Sequence, residues 1–390
     1  MVVSADKLIV CLSLALLGFG VSSNARSSGN SLMLTPSNGW LIHDATYLEQ
    51  PYWWPDQLEW NGSGLNDDAS YRYGASMIRY NGDNLHFWSC SEGDARLSIA
   101  DYIRYRHSSN GGKTWSEDEI VLAPNVGSDD GWAVCDPNVV KFGNYYYLAY
   151  TGTDDSNNFG LNNHVFVARS ENPNGPFVKW DGVGWSGQSP KAIIEYQGPS
   201  DRWGYGEPNM VVVDDRLYLY YTDGETSGKT RLALADANST NWPNTLVDQG
   251  LVIPVRDHDE DQTDVKYVPE VGLFIATAIG SRFTERSYVH VWWSADGFSF
   301  QAVSNDNVNL NIRPTAHNLS MSGNELGHAQ MGGHEFISYS YTGPDGRWGL
   351  WNSWLNPVSI TGAGWVANEF GNRQSIFLNP IILLLLQEED

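Results

Sequence analysis

One short pattern recurs along this chain: a strand opening on an acidic residue, a tight turn, then a strand rich in aromatic residues. It reads CDPNVVKFGNYYYLAYTGT from Cys135 to Thr153 and GEPNMVVVDDRLYLYYTDG from Gly206 to Gly224. A weaker copy, TDVKYVPEVGLFIATA, runs from Thr263 to Ala278. Aligning the strands puts Asp136, Glu207 and Asp264 at one equivalent position, 71 and then 57 residues apart. Repeats of this length indicate a propeller, in which each blade is one antiparallel sheet and its innermost strand starts beside a common axis. Equivalent positions converge on that axis. The fold expected is all-β, a five-bladed β-propeller of four-stranded antiparallel blades.

No low-complexity linker or long helical periodicity interrupts the pattern. Strands of β-branched and aromatic residues are punctuated instead by NG, DD, GP and DG turns. Blade one begins at YGASMIRYNGDNLHFWSC, the next three begin at Asp136, Glu207 and Asp264, and the fifth holds GHAQMGGHEFISYSYTG. Five units of roughly 60–70 residues fill residues 71–375. Residues 26–70 are read as an aromatic-rich segment packing on the propeller, and 376–390 as a C-terminal tail too short in its apolar run to span a bilayer. Three units share a hairpin of the form Ser, polar turn, aromatic ring: RHSSNGGKTW, ARSENPNGPF and WWSADGFSF. The versions at Ser109 and Ser294 resemble the Asp-box turn of sialidases. Their role is read as structural, with Trp115 and Phe300 packing between strands.

Composition narrows the partners. The 390 residues carry a formal net charge of −23, which argues against nucleic acid, whose phosphates need a basic face. The same charge disfavours strongly anionic polymers unless a local basic pocket overrides it. The 17 tryptophans suit a surface on which sugar rings stack. At the N-terminus one Lys, an apolar run from Leu8 to Val21, and Ser23 and Ala25 at the −3 and −1 places read as a signal peptide, residues 1–25. The expected location is secreted, extracellular or periplasmic, with no membrane association after cleavage. The alternative is an uncleaved anchor. Cleavage removes Cys11 and leaves Cys90 and Cys135, either a disulfide between blades or two buried thiols. Asn61, Asn238 and Asn318 lie in N-x-S/T sequons.

At the DP strand of Asp136, the GEP strand of Glu207 and the ARSENPNGPF segment after Val167, the chain resembles the five-bladed glycoside hydrolases of family 43 and their relatives in family 32. The resemblance covers most of the mature chain at the level of blade pattern. It implies three acidic residues from different blades, acting as general base, as orienting and pKa-modulating carboxylate, and as general acid. The family-32 order places an Asp-Pro motif one blade before the acid Glu, which matches Asp136 and Glu207. Blade one departs from the pattern: Gly74 in GASMIRYNG stands where the usual Asp would be, with Asp67 and Asp68 just upstream.

Cleaving a glycosidic bond needs a protonated acid on the leaving oxygen and a carboxylate that activates water or attacks carbon. Glu207 is the expected general acid, among Trp203, Tyr205 and flanking glycines that let substrate approach. Asp136 and Asp264 complete the expected catalytic set. Asp264 ends the acidic stretch DHDEDQTD, which also suits calcium or a solvated loop. Asp68, Trp132, Tyr205, Arg313, His317 and His328 are the expected substrate-binding residues. The two histidines flank a loop read as entering the funnel from blade five. Their spacing fits no standard zinc pattern. No cofactor is expected to be required, and a structural calcium ion at the funnel is the one metal this reading leaves room for. The function so implied is hydrolysis of a plant or algal polysaccharide or its oligosaccharides. The alternatives are a polysaccharide lyase on the same scaffold and a non-catalytic carbohydrate-binding propeller.

Overall fold

The computed structural model describes residues 72–81, 84–154, 160–224, 229–253, 262–303, 310, 312–333, 335–341 and 351–361, and four short strands outside them. Two of these strands are N-terminal, β1 (Met33–Pro36) and β2 (Trp40–Ile42). A first antiparallel group follows: β3 (Arg72–Arg79), β4 (Leu85–Glu92), β5 (Asp101–Ser108) and β6 (Glu119–Leu122). The second is β7 (Ala133–Phe142), β8 (Tyr145–Thr153), β9 (His164–Ser170) and β10 (Val178–Lys179). The third is β11 (Tyr205–Val213), β12 (Arg216–Asp223), β13 (Lys229–Asp236) and β14 (Val247–Ile253). The fourth is β15 (Asp264–Val268), β16 (Leu273–Gly280), β17 (Tyr288–Ser294) and β18 (Gln301–Ala302). The last joins β19 (Ala316–Met321), β20 (Glu335–Tyr341) and β21 (Asn352–Thr361), and both β1 and β2 pair with β21. Residues from the segment 26–70 thus complete the last sheet. A separate pair, β22 (Trp365–Val366) with β23 (Ile376–Phe377), follows.

The first strand of each group packs on the first strand of the next: β3 on β7, β7 on β11, β11 on β15, β15 on β19, and β19 back on β3. The sheets therefore stand around an axis, the architecture of a β-propeller. Strand β7 is buried along nearly its whole length, which explains its apolar run without alternation. Each seam between neighbouring groups has its own apolar cluster. Ile78, Trp88, Val139 and Leu148 fill the first seam; Val140, Met210 and Trp242 fill the second. Tyr220, Val265 and Phe274 fill the third, Ile275, Leu319 and Ile337 the fourth, and Met77, Phe87, Phe336 and Leu355 the last.

Apolar seams do not fix register; a polar rung near the axis does. The Val139 N–H donates to Ser76 Oγ (2.9 Å) and the Met210 N–H to Asn138 Oδ1 (2.8 Å). The Val265 N–H donates to Asn209 Oδ1 (3.0 Å) and the Met321 N–H to Asp264 Oδ2 (2.9 Å). At the far end of the axis one segment crosses the ring. Carbonyls of Gly323, Glu325, Leu326 and Gly327 accept in turn from the N–H groups of Arg79, Lys141, Val212 and Tyr267, one on each of the first four groups.

The serine turns are built as the sequence suggests, with one correction: the first is centred on Ser108, not Ser109. Ser108 Oγ accepts the Gly112 N–H at 2.9 Å, and Asn110 Oδ1 accepts the Thr114 N–H at 2.9 Å. Ser294 and Asp296 repeat the arrangement on the Gly297 and Phe298 N–H groups. Trp115 is buried against Phe87, with ring centroids 5.6 Å apart. Trp115→Ala is therefore expected to lower unfolding stability by about 3–5 kcal/mol in a urea titration.

A second test concerns acid. Burial, reinforced by the neighbouring His107, pushes the His86 imidazole down to about 4, and its Nδ1 lies 2.6 Å from the Tyr105 hydroxyl. The unfolded imidazole titrates near 6.5, so between roughly pH 6.5 and pH 4 the unfolded chain binds the extra proton. Stability contributed by neutral His86 is present above this window and lost as pH falls through it. The urea midpoint should drop across that range, and His86→Gln should flatten the drop.

Candidate active site

Four of the five innermost strands open with the same irregularity. Their pairing with the second strand slips between Tyr73 and Ser76, Cys135 and Asn138, Gly206 and Asn209, and His317 and Ser320. In each slip one residue adopts a left-handed backbone: Gly74 (φ 55°), Asp136 (φ 46°), Glu207 (φ 49°) and Asn318 (φ 45°). Local chemistry favours the bulge in the second and third strands. Pro137 and Pro208 sit in the unpaired position of the slip, where their missing N–H costs no ladder bond. For a non-glycine residue the left-handed conformation costs roughly 1–2 kcal/mol, a strain that recurs where a side chain must be aimed.

These residues meet at one end of the axis. A Cβ built on Gly74 would lie 2.6 Å from Asp136 Oδ1, so the Asp136 carboxylate fills the place of a side chain on the first strand. A carboxylate-bearing side chain has no room at position 74. The Glu207 N–H donates to Thr151 Oγ1 at 2.7 Å, pinning its bulge to the second group. Across the ring the Asn318 amide lies 3.4 Å from Glu207 Oε1 and 3.2 Å from Gln262 Oε1. Asp136, Glu207, Gln262 and Asn318 are all less than a tenth exposed. Cys90 and Cys135 form a disulfide, Cα to Cα 4.9 Å, tying β4 to the residue before Asp136.

The placement of Asp264 corrects the sequence alignment. In the rung of hydrogen bonds Asp264 takes the place of Ser76, Asn138 and Asn209, two residues further along the strand than Asp136 and Glu207. The position matching Asp136 and Glu207 in the fourth group is Gln262. Asp264 is fully buried, accepts from Asn209 Nδ2 at 2.6 Å, and is chelated by Lys266 Nζ at 2.7 and 2.8 Å. Burial pushes its carboxyl pKa up, against the opposing pull of Lys266. It is built to hold the fourth strand to the fifth.

The other expected site residues divide. His317 stands beside the ring, immediately before Asn318, its imidazole packed on Trp351, Phe283 and Tyr73 with centroids 4.4, 4.9 and 5.7 Å away. His328 lies at the opposite end of the axis, in the segment that crosses the ring, with Nε2 2.5 Å from the Val212 carbonyl. Its expected place in the funnel is corrected accordingly. A cavity of about 520 Å³ opens at that far end between Arg79, Glu270, Glu325 and His328, and none of the ring residues lines it. Arg313 stacks on Trp354 (4.1 Å) and Tyr341 (5.3 Å) within the last group. Tyr205 packs between Tyr196 and Tyr221. Trp132 covers Gly160. Gly206 serves packing rather than substrate approach: a Cβ there would meet Thr151 and Trp203 at 2.6 and 2.7 Å. Asp67, Asp68, the acidic stretch 257–261 and residues 43–60 lie outside the described residues.

Gln262 and Asn318 were missed because neither is acidic. The signal was present two residues later, in the small polar residues Ser76, Asn138, Asn209, Asp264 and Ser320. Asn318 also lies in a sequon, yet its amide is buried against Glu207, so in the folded chain it is no glycan acceptor.

No protein-family model matches the chain, and no curated protein matches its sequence. Solved structures do match in fold. The catalytic domain of a GH62 alpha-L-arabinofuranosidase from Coprinopsis cinerea superposes with a TM-score of 0.54 at 11% identity, over 84% of this chain and 97% of the other. A family 117 glycoside hydrolase from Zobellia galactanivorans gives 0.52 at 16% identity, over 84% and 90%. An alpha-L-arabinofuranosidase from Podospora anserina, solved with cellotriose, gives 0.52 at 12% identity, over 75% and 93%. Identities this low establish a shared fold.

The structural assignment of Asp264 makes a separable prediction. Asp264→Ala leaves the Lys266 ammonium buried without its counter-ion and should cost about 3–5 kcal/mol of stability by denaturant titration. A loss of activity with unchanged stability would instead return Asp264 to the chemistry.

Proposed function

We propose that the chain is a five-bladed propeller glycoside hydrolase, secreted after removal of residues 1–25, acting on a plant or algal polysaccharide or its oligosaccharides. Asp136 and Glu207 carry this reading. Two carboxylates on successive inner strands share one strained bulge position and face one end of the axis, beside two carboxamides suited to sugar hydroxyls. A fold shared with arabinofuranosidases makes arabinofuranosides the first substrates to test. The lyase alternative draws no support from these likenesses.

In this reading Glu207 is the proton donor. The Asn318 amide beside Oε1 orients the carboxyl group, and the Thr151 hydroxyl fixes the backbone that presents it. With Gly74 leaving no carboxylate on the first strand, Asp136 takes the role of the base or nucleophile at the reacting carbon. Its spacing from Glu207 decides the stereochemistry: roughly 5 Å serves retention, and 6.5–9.5 Å leaves room for the water of inversion. The sugar's remaining hydroxyls fall to Gln262 and Asn318.

Glu207→Gln keeps shape and removes the proton. Hydrolysis of a natural polymer, with its poor leaving group, should fall by about 10²–10⁴, while an activated aryl glycoside should lose much less. Asp136→Asn should impair both substrates alike. Near-wild-type cleavage of the polymer by Glu207→Gln would move the acid to another residue, with His317 next in reach of the ring. A protein that binds oligosaccharides but releases no reducing ends from any of a broad panel would be a binding propeller.

A further inference from the structure

The seam where the last group meets the first is unlike the other four, because its core turns polar and cationic toward the site end. Arg72, Arg104 and Arg106 converge from β3 and β5 on a single carboxylate, Asp118. Asp118 Oδ2 accepts from Arg72 Nη2 and from Arg104 Nη1 (3.2 Å), and its Oδ1 accepts from Arg106 Nε (3.2 Å). The Arg72 and Arg106 side chains are 3% and 7% exposed. Burial pushes the Arg72 guanidinium down to about 10, and although burial alone would raise Asp118, the three arginines hold it below the ordinary carboxylate range.

Across the seam stand serines, on the face of β20 and β21 that also carries Phe336 and Leu355. Ser340 Oγ donates to the Arg72 carbonyl at 3.3 Å, Ser340 pairs with Ser353, and Ser338 pairs with Leu355. The hydroxyls of Ser338 and Ser353 are fully buried and make no hydrogen bond. Nor do Arg104 Nε and Arg106 Nη1, which are also buried. Two hydroxyls and two guanidinium N–H groups thus lack acceptors in one seam, where Arg104 and Arg106 both bond to the one Asp118 carboxylate. Buried donors require partners, and each one left unmet costs about 1–3 kcal/mol by mutational data. Water would meet the donors but leave the charge. An anion meets both.

We propose that this seam binds a small inorganic anion, a halide or a sulfate-sized oxyanion, held by Arg104, Arg106 and the hydroxyls of Ser338 and Ser353. The anion bridges β5 to β20 and β21, the junction at which the ring of sheets closes. Its binding makes closure dependent on the anion present, separately from the chemistry at Asp136 and Glu207.

The test is thermal unfolding of the whole protein in chloride-free buffer, with ionic strength held constant by gluconate. Added sodium bromide, chloride or sulfate should raise Tm by about 2–8 °C with saturation, as mass action on a single site requires. Response to halides alone or to sulfate alone identifies which anion the seam accepts. Arg106→Gln should lose most of the rise, and Arg104→Gln, at a more exposed position, serves if the first variant does not fold. A bromide-soaked crystal should show an anomalous peak within about 3.5 Å of Arg106 Nη1. Equal Tm responses in wild type and Arg104→Gln, no response to any anion, or ordered water without a bromide peak in the seam would each overturn the proposal.

Discussion

The rung formed by Ser76, Asn138, Asn209 and Asp264 is the interaction on which the rest of the molecule depends. Neighbouring sheets meet face to face through apolar side chains, which attract without direction. Nothing in such a seam fixes how far one inner strand slides along the next. A side-chain acceptor reaching a single backbone N–H on the following strand does, and it does so at the same level in each of four seams. Once that level is set, the residue two positions earlier falls at one height on every strand. This is why Gly74, Asp136, Glu207, Gln262 and Asn318 lie together, although the first and last are 244 positions apart in the chain.

The site is held by local strain and by distant support. Asp136 and Glu207 keep left-handed backbones that few residues adopt without help. The help comes from outside each strand: Thr151 bonds the Glu207 amide, the Cys90–Cys135 disulfide anchors the residue before Asp136, and the absent side chain at Gly74 leaves room for the Asp136 carboxylate. Each support belongs to another strand, and for Asp136 both come from the first group. A propeller suits this division of labour because every inner strand has a neighbour on each side.

Electrostatics separates the buried acids into different tasks. Asp264 is neutralised by Lys266 at 2.7 Å and tied to the next strand, so its charge is spent on structure. Asp118 lies among three arginines in the closing seam. The Asn318 carboxamide lies beside Glu207 Oε1. At Asp264 burial raises the carboxyl pKa while the Lys266 ammonium opposes it.

The repeat, the turns and the aromatic strands by themselves determined the all-β class, the sequence of strand groups and the shared position of Asp136 and Glu207, because strand periodicity, Pro after the acid and turn chemistry are properties of adjacent residues. Only the tertiary structure decided which fourth-group residue belongs with them. Matching acid to acid selected Asp264, while the hydrogen-bond level selects Gln262, and that level exists only between strands. It likewise carried His328 to the far end of the axis, turned Gly206 into a seat for Trp203, and gave the last sheet its closing strands from residues 33–42. The physical reason is the same in each case: a side chain's task is set by what packs against it from a distant part of the chain, and no local pattern records that partner.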